Sequence, residues 1–291
     1  MFGRIKLKAY AKVNLCLDII GKREDGYHLL ETVMQSVSLC DAVAVKRTND
    51  GRISVKCSMP NVPEKSNTAY KAAKAFFEHI NADKNSGVHI EIKKNIPSQA
   101  GLGGGSADAA AVIVALNKLY RTHLSENELC SIAVKVGADV PFCIRGGTQL
   151  ARGVGEILTV LNDFTGAYIV IAKGSDGVST KDAYEAFDSA DNIIKPRLDK
   201  VTDAISSGKI EDLKGRLVNV FEQTTLIKDV AQIAEKMCQN GAIDAAMTGS
   251  GSAVFGVFKS LKSAQKCAKE LKNNYPFAAV CKSVNCGVSL L

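Results

Sequence analysis

Residues 97–107 read Pro-Ser-Gln-Ala-Gly-Leu-Gly-Gly-Gly-Ser-Ala, four glycines in five residues with no charged side chain along the way. Among residues 101–105 only Leu102 carries a Cβ, so the backbone is free to take positive φ and to bring its N–H groups against a ligand. Val88, Ile90 and Ile92 alternate as a strand before the loop, and Ala109, Ala110, Ile113, Val114, Leu116 and Asn117 keep helical spacing after it. A glycine loop that runs into a helix offers unpaired N–H groups and the positive end of the helix dipole to an anion. The stretch therefore reads as a phosphate cradle, with Ser106 at the cap position. A flexible linker is the alternative, but linkers are ordinarily polar on both flanks, and this loop is not.

Around the loop the chain alternates strands and helices. Ile5, Leu7, Ala9, Ala11, Val13, Leu15, Leu17 and Ile19 share one parity and Lys6, Lys8, Lys12, Asn14 and Asp18 the other, which predicts a long half-buried strand with Lys12 and Asn14 on one face. Glu24-Asp25-Gly26 makes a turn, and Tyr27-His28 opens a second extended segment running to Leu39. A third strand over 42–46 and a fourth over 52–57 flank Asn49-Asp50-Gly51, a hairpin signal, so the chain is expected to begin as a β-meander. Pro60 and Pro63 mark a loop before an amphipathic helix over 67–81, and Ser125-x-x-Glu128 is a capping box for a helix ending at Gly137. A polar junction at Asn162-Asp163 sets the expected domain boundary, giving 1–161 and 162–291. The second half reads as strand 168–172, a helix capped by Ser179, helices near 198–206 and 227–239, and strands at 245–247, 253–258 and 278–283 with a helix before the last. That mixture predicts an α+β class with a ferredoxin-like sandwich, one antiparallel sheet with helices on one side.

The chain has 291 residues, room for two domains with full apolar cores. No apolar run approaches the ~18 residues needed to span a bilayer, and the start lacks the apolar core of a secretory signal, so a membrane partner is not expected. The nine cysteines form no Cys-x-x-Cys pair and fit free thiols in a reducing cytoplasm, while the four histidines lie too far apart in sequence to suggest zinc. A net charge of +7 suits an anionic small molecule, and without a Lys/Arg block nucleic acid is not indicated.

The loop is neither a Walker A motif nor Gly-x-Gly-x-x-Gly, because no Gly-Lys-Ser/Thr closes it and Ser106 takes the last glycine's place. With Lys12-Val13-Asn14 upstream and Thr248-Gly249-Ser250-Gly251-Ser252 downstream, it resembles the three motifs of the galactokinase, homoserine, mevalonate and phosphomevalonate kinase superfamily. Asp25-Gly26-Tyr27-His28, Gly137-Ala138-Asp139-Val140-Pro141-Phe142 and Gly177-Val178-Ser179-Thr180 resemble the branch acting on a cytidyl-methylerythritol in the non-mevalonate isoprenoid route. The resemblance spans nearly the whole chain. It implies a two-domain small-molecule kinase that uses ATP, with Mg2+ expected, on the 2-hydroxyl of the methylerythritol, as a cytoplasmic monomer or weak homodimer. It also implies roles: Pro97, Ser98, Gln99, Ala100, Gly101, Leu102, Gly103, Gly104, Gly105, Ser106 and Ala107 around the ATP phosphates, and Asn67 near the nucleotide. Asp139 would be the catalytic carboxylate and Lys12 its cationic partner, with Asn14, Tyr27, His28 and Thr180 on the acceptor. The metal ligands stay unassigned. Two positions depart from the family pattern, since Ala107 stands where a second serine is common and Ser98-Gln99 where small residues lead in.

Taken singly, each of these residues has a plainer reading. A lysine on a polar strand face is ordinarily solvated, an aspartate after a helix stop makes turns, Tyr-His after Asp-Gly can simply begin a strand, and Thr-Gly-Ser-Gly-Ser can be a tight connection. The rival functions are another kinase of the superfamily, which would have no use for a cytosine pocket, and a nucleotide- or RNA-binding module without catalysis, for which Lys12 and Asp139 would be idle.

Overall fold

The computed structural model describes residues 3–59, 62–164 and 166–291; Pro60, expected in a loop, lies outside them. The alternating segment at the start is β1, Arg4–Lys22, paired antiparallel along nearly its whole length with β2, His28–Thr48. The extended segments expected on either side of residue 40 are thus one strand. Its register against β1 shifts between Tyr10 and Ala11, between Asn14 and Cys16, and between Ile19 and Gly21. Irregularities of this kind bend a strand and re-aim its side chains.

β2 is long enough to serve two neighbours. Its second half pairs with β4, Gly87–Lys93, and its first half with β5, Thr148–Gly153, which in turn pairs with β6, Ile157–Val160. The hairpin expected across Asn49-Asp50-Gly51 does not form. β3, Ile53–Cys57, pairs in parallel with β4, which lies between it and β2, so the start is not a simple meander. The turn itself is present: Thr48 Oγ1 and Arg52 N donate to Asp50 Oδ1 at 2.7 and 3.2 Å, and Gly51 has φ 68°. Turn chemistry reverses the chain but does not choose the neighbour. β4, with Val88 and Ile90 fully buried, fills the inner slot, whereas β3 carries exposed Lys56 and suits an edge.

On this sheet lie α1, Thr68–His79, α2, Gly104–Tyr120, α3, Glu126–Val134, and α4, Val140–Arg145. Asn67 caps α1 by accepting from Ala69 N at 2.9 Å, and the Ser125/Glu128 capping box is complete. α2 is alanine-rich and buried from Ala107 to Ile113, which lets it sit tight against β1 and β2. The second sheet has the order β10, Phe277–Lys282; β7, Tyr168–Lys173; β9, Val254–Phe258; β8, Asp244–Met247, with every pair antiparallel. Helices α7, Lys228–Gln239, and α8, Leu261–Lys272, pack on it. Between β7 and β8 come α5, Thr180–Asp188, whose Asp188 bonds Lys22 and His28 at the ends of β1 and β2, and α6, Leu198–Ser207, which packs on the same two strands. A last strand, β11, Val288–Leu290, went unseen in the sequence because it is so short, and it returns to pair with β1 in the first sheet.

Candidate active site

Residues 11–17 of β1 are buried on both faces, since α2 covers one side and the loops of the second layer cover the other. Lys12 and Asn14 therefore point into protein, where a lysine needs anionic or hydrogen-bonding partners. Lys12 Nζ donates to Asn14 Oδ1 at 2.7 Å and lies 3.6 Å from Asp139 Oδ2, with the lysine side chain 5% exposed and the aspartate 36%. Asn14 is itself fixed, its amide donating to Thr32 Oγ1 at 2.8 Å and its backbone N–H to Thr248 Oγ1 at 3.0 Å. Asp139 heads α4 without capping it through its side chain, so the carboxylate is left for the cleft.

The glycine loop crosses directly above this pair. Lys12 N donates to Leu102 O at 3.0 Å, and a Cβ on Gly103 would stand 3.1 Å from Lys12 Cγ. Gly101 and Gly103 take φ of 69° and 68°, while Gly104 and Gly105 are already helical. The cap expected at Ser106 is in fact Gly103, whose left-handed backbone starts the helix a turn earlier and leaves its first N–H groups open; Ser106 sits inside the first turn. The Thr248 to Ser252 connection closes the loop from the other layer. Thr248 Oγ1 reaches Asn14 Oδ1 and Gly101 O at 3.2 and 3.3 Å, Ser252 N donates to Gln99 O at 3.4 Å, and Ala253 N to Ala100 O at 3.3 Å. Together they bound a cleft of 720 Å³ that takes in Lys12, Asn14, Asn67, Asp139, Thr180 and all of residues 96–106. Ala107, also expected at the phosphates, is fully buried beneath the loop and does not line the cleft.

Thr180 opens α5, with its hydroxyl 3.3 Å from that of Ser250. Thr180, Tyr184 and Asp188 recur at intervals of four and so share one face of α5. Beside them is a second cavity of 350 Å³ lined by Lys22, Tyr27, His28, Ala138, Tyr184 and Asp188, among others. The His28 ring stacks on Tyr184 with centroids 4.5 Å apart and planes 18° off parallel, and Phe221 meets the other ring edge-on. Tyr27 is 64% exposed at the opening. The sequence pointed to Tyr27 and His28, which line this cavity, and to Thr180, which lines the main cleft, but not to Tyr184 or Asp188, although their four-residue spacing from Thr180 was a usable signal.

A buried charge cluster behind the glycine loop was also missed. Lys94 Nζ bonds Asp41 and, at 2.6 Å, Asp108 Oδ2, while Asp41 Oδ1 accepts the N–H groups of Asn95 and Ile96 at 2.6 and 2.9 Å. This ties the lead-in of the loop to β2 and α2. Burial pushes the Asp108 carboxyl up to about 7, against the pull of the Lys94 ammonium. Among the described residues no group of three or more His, Cys, Asp or Glu side chains is clustered to hold a metal.

Comparison with known proteins places these features in a family. Residues 67–147 match the model described as GHMP kinases N terminal domain, and residues 203–276 match GHMP kinases C terminal. The chain is 44% identical to 4-diphosphocytidyl-2-C-methyl-D-erythritol kinase of Clostridium botulinum strain Eklund 17B, across 93% of this chain and 97% of that one. It is 41% identical to the enzyme of the same name from Clostridium tetani, across 96% and 100%. A crystal structure of 4-(cytidine 5'-diphospho)-2C-methyl-D-erythritol kinase superposes with a TM-score of 0.80 at 32% identity, covering 96% of this chain and 99% of that one. Homoserine kinase from Cytophaga hutchinsonii shares the fold, with a TM-score of 0.82 at 19% identity over 99% and 97%.

Proposed function

The chain belongs to the 4-diphosphocytidyl-2-C-methyl-D-erythritol kinase family within the GHMP kinases, and we propose that Lys12 and Asp139 carry out that family's phosphoryl transfer in the cleft beneath the glycine loop. The protein is a small-molecule kinase of the non-mevalonate isoprenoid route, using ATP to phosphorylate the 2-hydroxyl of 4-diphosphocytidyl-2-C-methyl-D-erythritol. The observation that carries the assignment of residues is the buried Lys12 ammonium 3.6 Å from the Asp139 carboxylate at the foot of the loop.

The open N–H groups at the start of α2 and the turn at residues 99–103 receive the phosphates, with Asn67 and Thr68 at the nucleotide's far end. The acceptor hydroxyl lies between Lys12 and Asp139. As its oxygen bonds to the γ-phosphorus, the bond to the bridging oxygen of ADP breaks and the hydroxyl proton passes to Asp139 Oδ. The ammonium of Lys12, held in place by Asn14, offsets the negative charge gathered at the transferring group. Magnesium brought in with the triphosphate would be held on the protein side by the Ser106 hydroxyl, which lines the cleft, and would neutralise phosphate charge. Asn14, Thr180, Tyr27 and His28 hold the acceptor, the last two at its cytosine. In this reading residues 1–161 bind ATP and residues 162–291 close the cleft from above. Because the cleft is assembled within one chain, a monomer or weak homodimer suffices, and water-soluble phosphorylated substrates fit a cytoplasmic enzyme.

The test is ADP release with the cytidyl-methylerythritol acceptor beside homoserine, mevalonate and galactose. Turnover is expected with the first alone, and turnover with one of the others in its place would overturn the reading.

A further inference from the structure

Asp188 lies at the end of α5 with each carboxylate oxygen engaged, Oδ1 at 2.6 Å from His28 Nε2 and Oδ2 at 2.7 Å from Lys22 Nζ. An ionised carboxylate can only accept, so the proton of this short contact belongs to Nε2. The hydrogen bonds from Lys22 and His28 hold the Asp188 carboxyl below the usual carboxylate range, which keeps it an acceptor at neutral pH. Lys22 matters in a second way. Its ammonium pairs with the second carboxylate oxygen, so Asp188 stays an acceptor towards His28. A neutral imidazole carries one proton, so with it on Nε2 the lone pair lies on Nδ1, which makes no hydrogen bond among the described residues. Stacking on Tyr184 fixes the plane of the ring beside the 350 Å³ cavity. A base that hydrogen-bonds the imidazole edge must lie near that plane.

Building on the reading that His28 faces the cytosine, we propose that Asp188 decides which base the pocket takes, by fixing the His28 proton on Nε2 and leaving Nδ1 to accept from the exocyclic amino group of cytosine. Uracil presents a carbonyl oxygen where cytosine presents that amino group. Two acceptors would then face each other in a half-buried site, and neither could find a donor. Asp188 is in this sense a positioning residue, as are the carboxylates that set the tautomer of a histidine from its far nitrogen.

The experiment compares kcat/KM for the cytidyl acceptor and for its uridyl analogue. The parent should prefer the cytidyl compound by at least about tenfold, the factor that losing one hydrogen bond gives. Asp188→Leu should bring the ratio to within about threefold of unity, because the ring is then free to adopt either tautomer. The KM for ATP should stay within the same margin. Asp188→Asn, which still offers an oxygen to Nε2, should keep an intermediate ratio. Long-range 15N–1H spectra of His28 should show the proton on Nε2 alone in the parent and a mixture of tautomers in Asp188→Leu. A proton on Nδ1 in the parent, or an unchanged base preference in Asp188→Leu, overturns the proposal. His28→Ala separates the two levels. If it binds the acceptor as the parent does, the pocket itself is misplaced; if it loses the acceptor while Asp188→Leu keeps its preference, only the role of Asp188 falls.

Discussion

Replacing Gly101 by alanine should separate the two loops that roof the cleft. A Cβ built on Gly101 would stand 1.9 Å from Thr248 O, where real contacts essentially never fall below 3.0 Å, and the backbone there has φ 69°. The left-handed conformation alone costs an alanine about 1 kcal/mol. Relieving the clash means moving a backbone carbonyl that cannot rotate away as a side chain would. The movement strains the contacts of Thr248 Oγ1 with Gly101 O, Ser252 N with Gln99 O and Ala253 N with Ala100 O. At about 1 kcal/mol for each hydrogen bond lost, the total comes to roughly 3–4 kcal/mol. If the loops stay docked, the loss appears as lower stability; if they part, it appears as weaker ATP binding, by up to about three orders of magnitude. Urea unfolding and calorimetric titration with a non-hydrolysable ATP analogue divide the loss between the two. Gly208→Ala is the control, because Gly208 has the same left-handed φ of 68° outside the cleft, and a Cβ there would meet nothing within 4 Å. A Gly101→Ala protein that unfolds and binds nucleotide like the parent would refute the idea that contact between these loops shapes the phosphate site.

Asp139→Asn keeps the shape of the side chain but removes the proton acceptor, so kcat and kcat/KM should fall together by about 10²–10⁴ while both ligands bind within a few fold; single-turnover phosphorylation within threefold of the parent would remove Asp139 from the mechanism. Tyr27→Ala should weaken acceptor binding by roughly 1–3 kcal/mol, the range for base stacking, and leave ATP affinity unchanged in calorimetry. Asp108, raised to about 7 by burial, binds its proton more tightly folded than unfolded, so its contribution to stability is full below about pH 4 and is lost as pH rises through 7. Asp108→Asn should therefore narrow the fall in Tm between pH 5 and pH 8, and an unaltered pH dependence would count against this account.

The lines of the site that depend on local rules could be read directly from the chain. Four glycines between a strand and a helix dictate a tight, amide-rich turn. Asn67 and the Ser125/Glu128 pair mark helix starts, and the parity of residues 5–19 puts Lys12 and Asn14 on one face, where they do meet. What spacing cannot specify is which segments become neighbours. The Asn49-Asp50-Gly51 turn reverses the chain as its residues require, yet the slot beside β2 goes to β4, because pairing is settled by which strand can bury both faces. Ser106 was misread as the cap because a side chain was sought where a glycine in left-handed conformation does the work. Lys12 looks like a surface lysine until tertiary packing covers β1, and only the packing of α4 beside that strand places its ammonium against Asp139, 127 residues away in sequence. The pairing of His28 with Asp188 has the same origin, since two segments 160 residues apart are joined by tertiary contact alone.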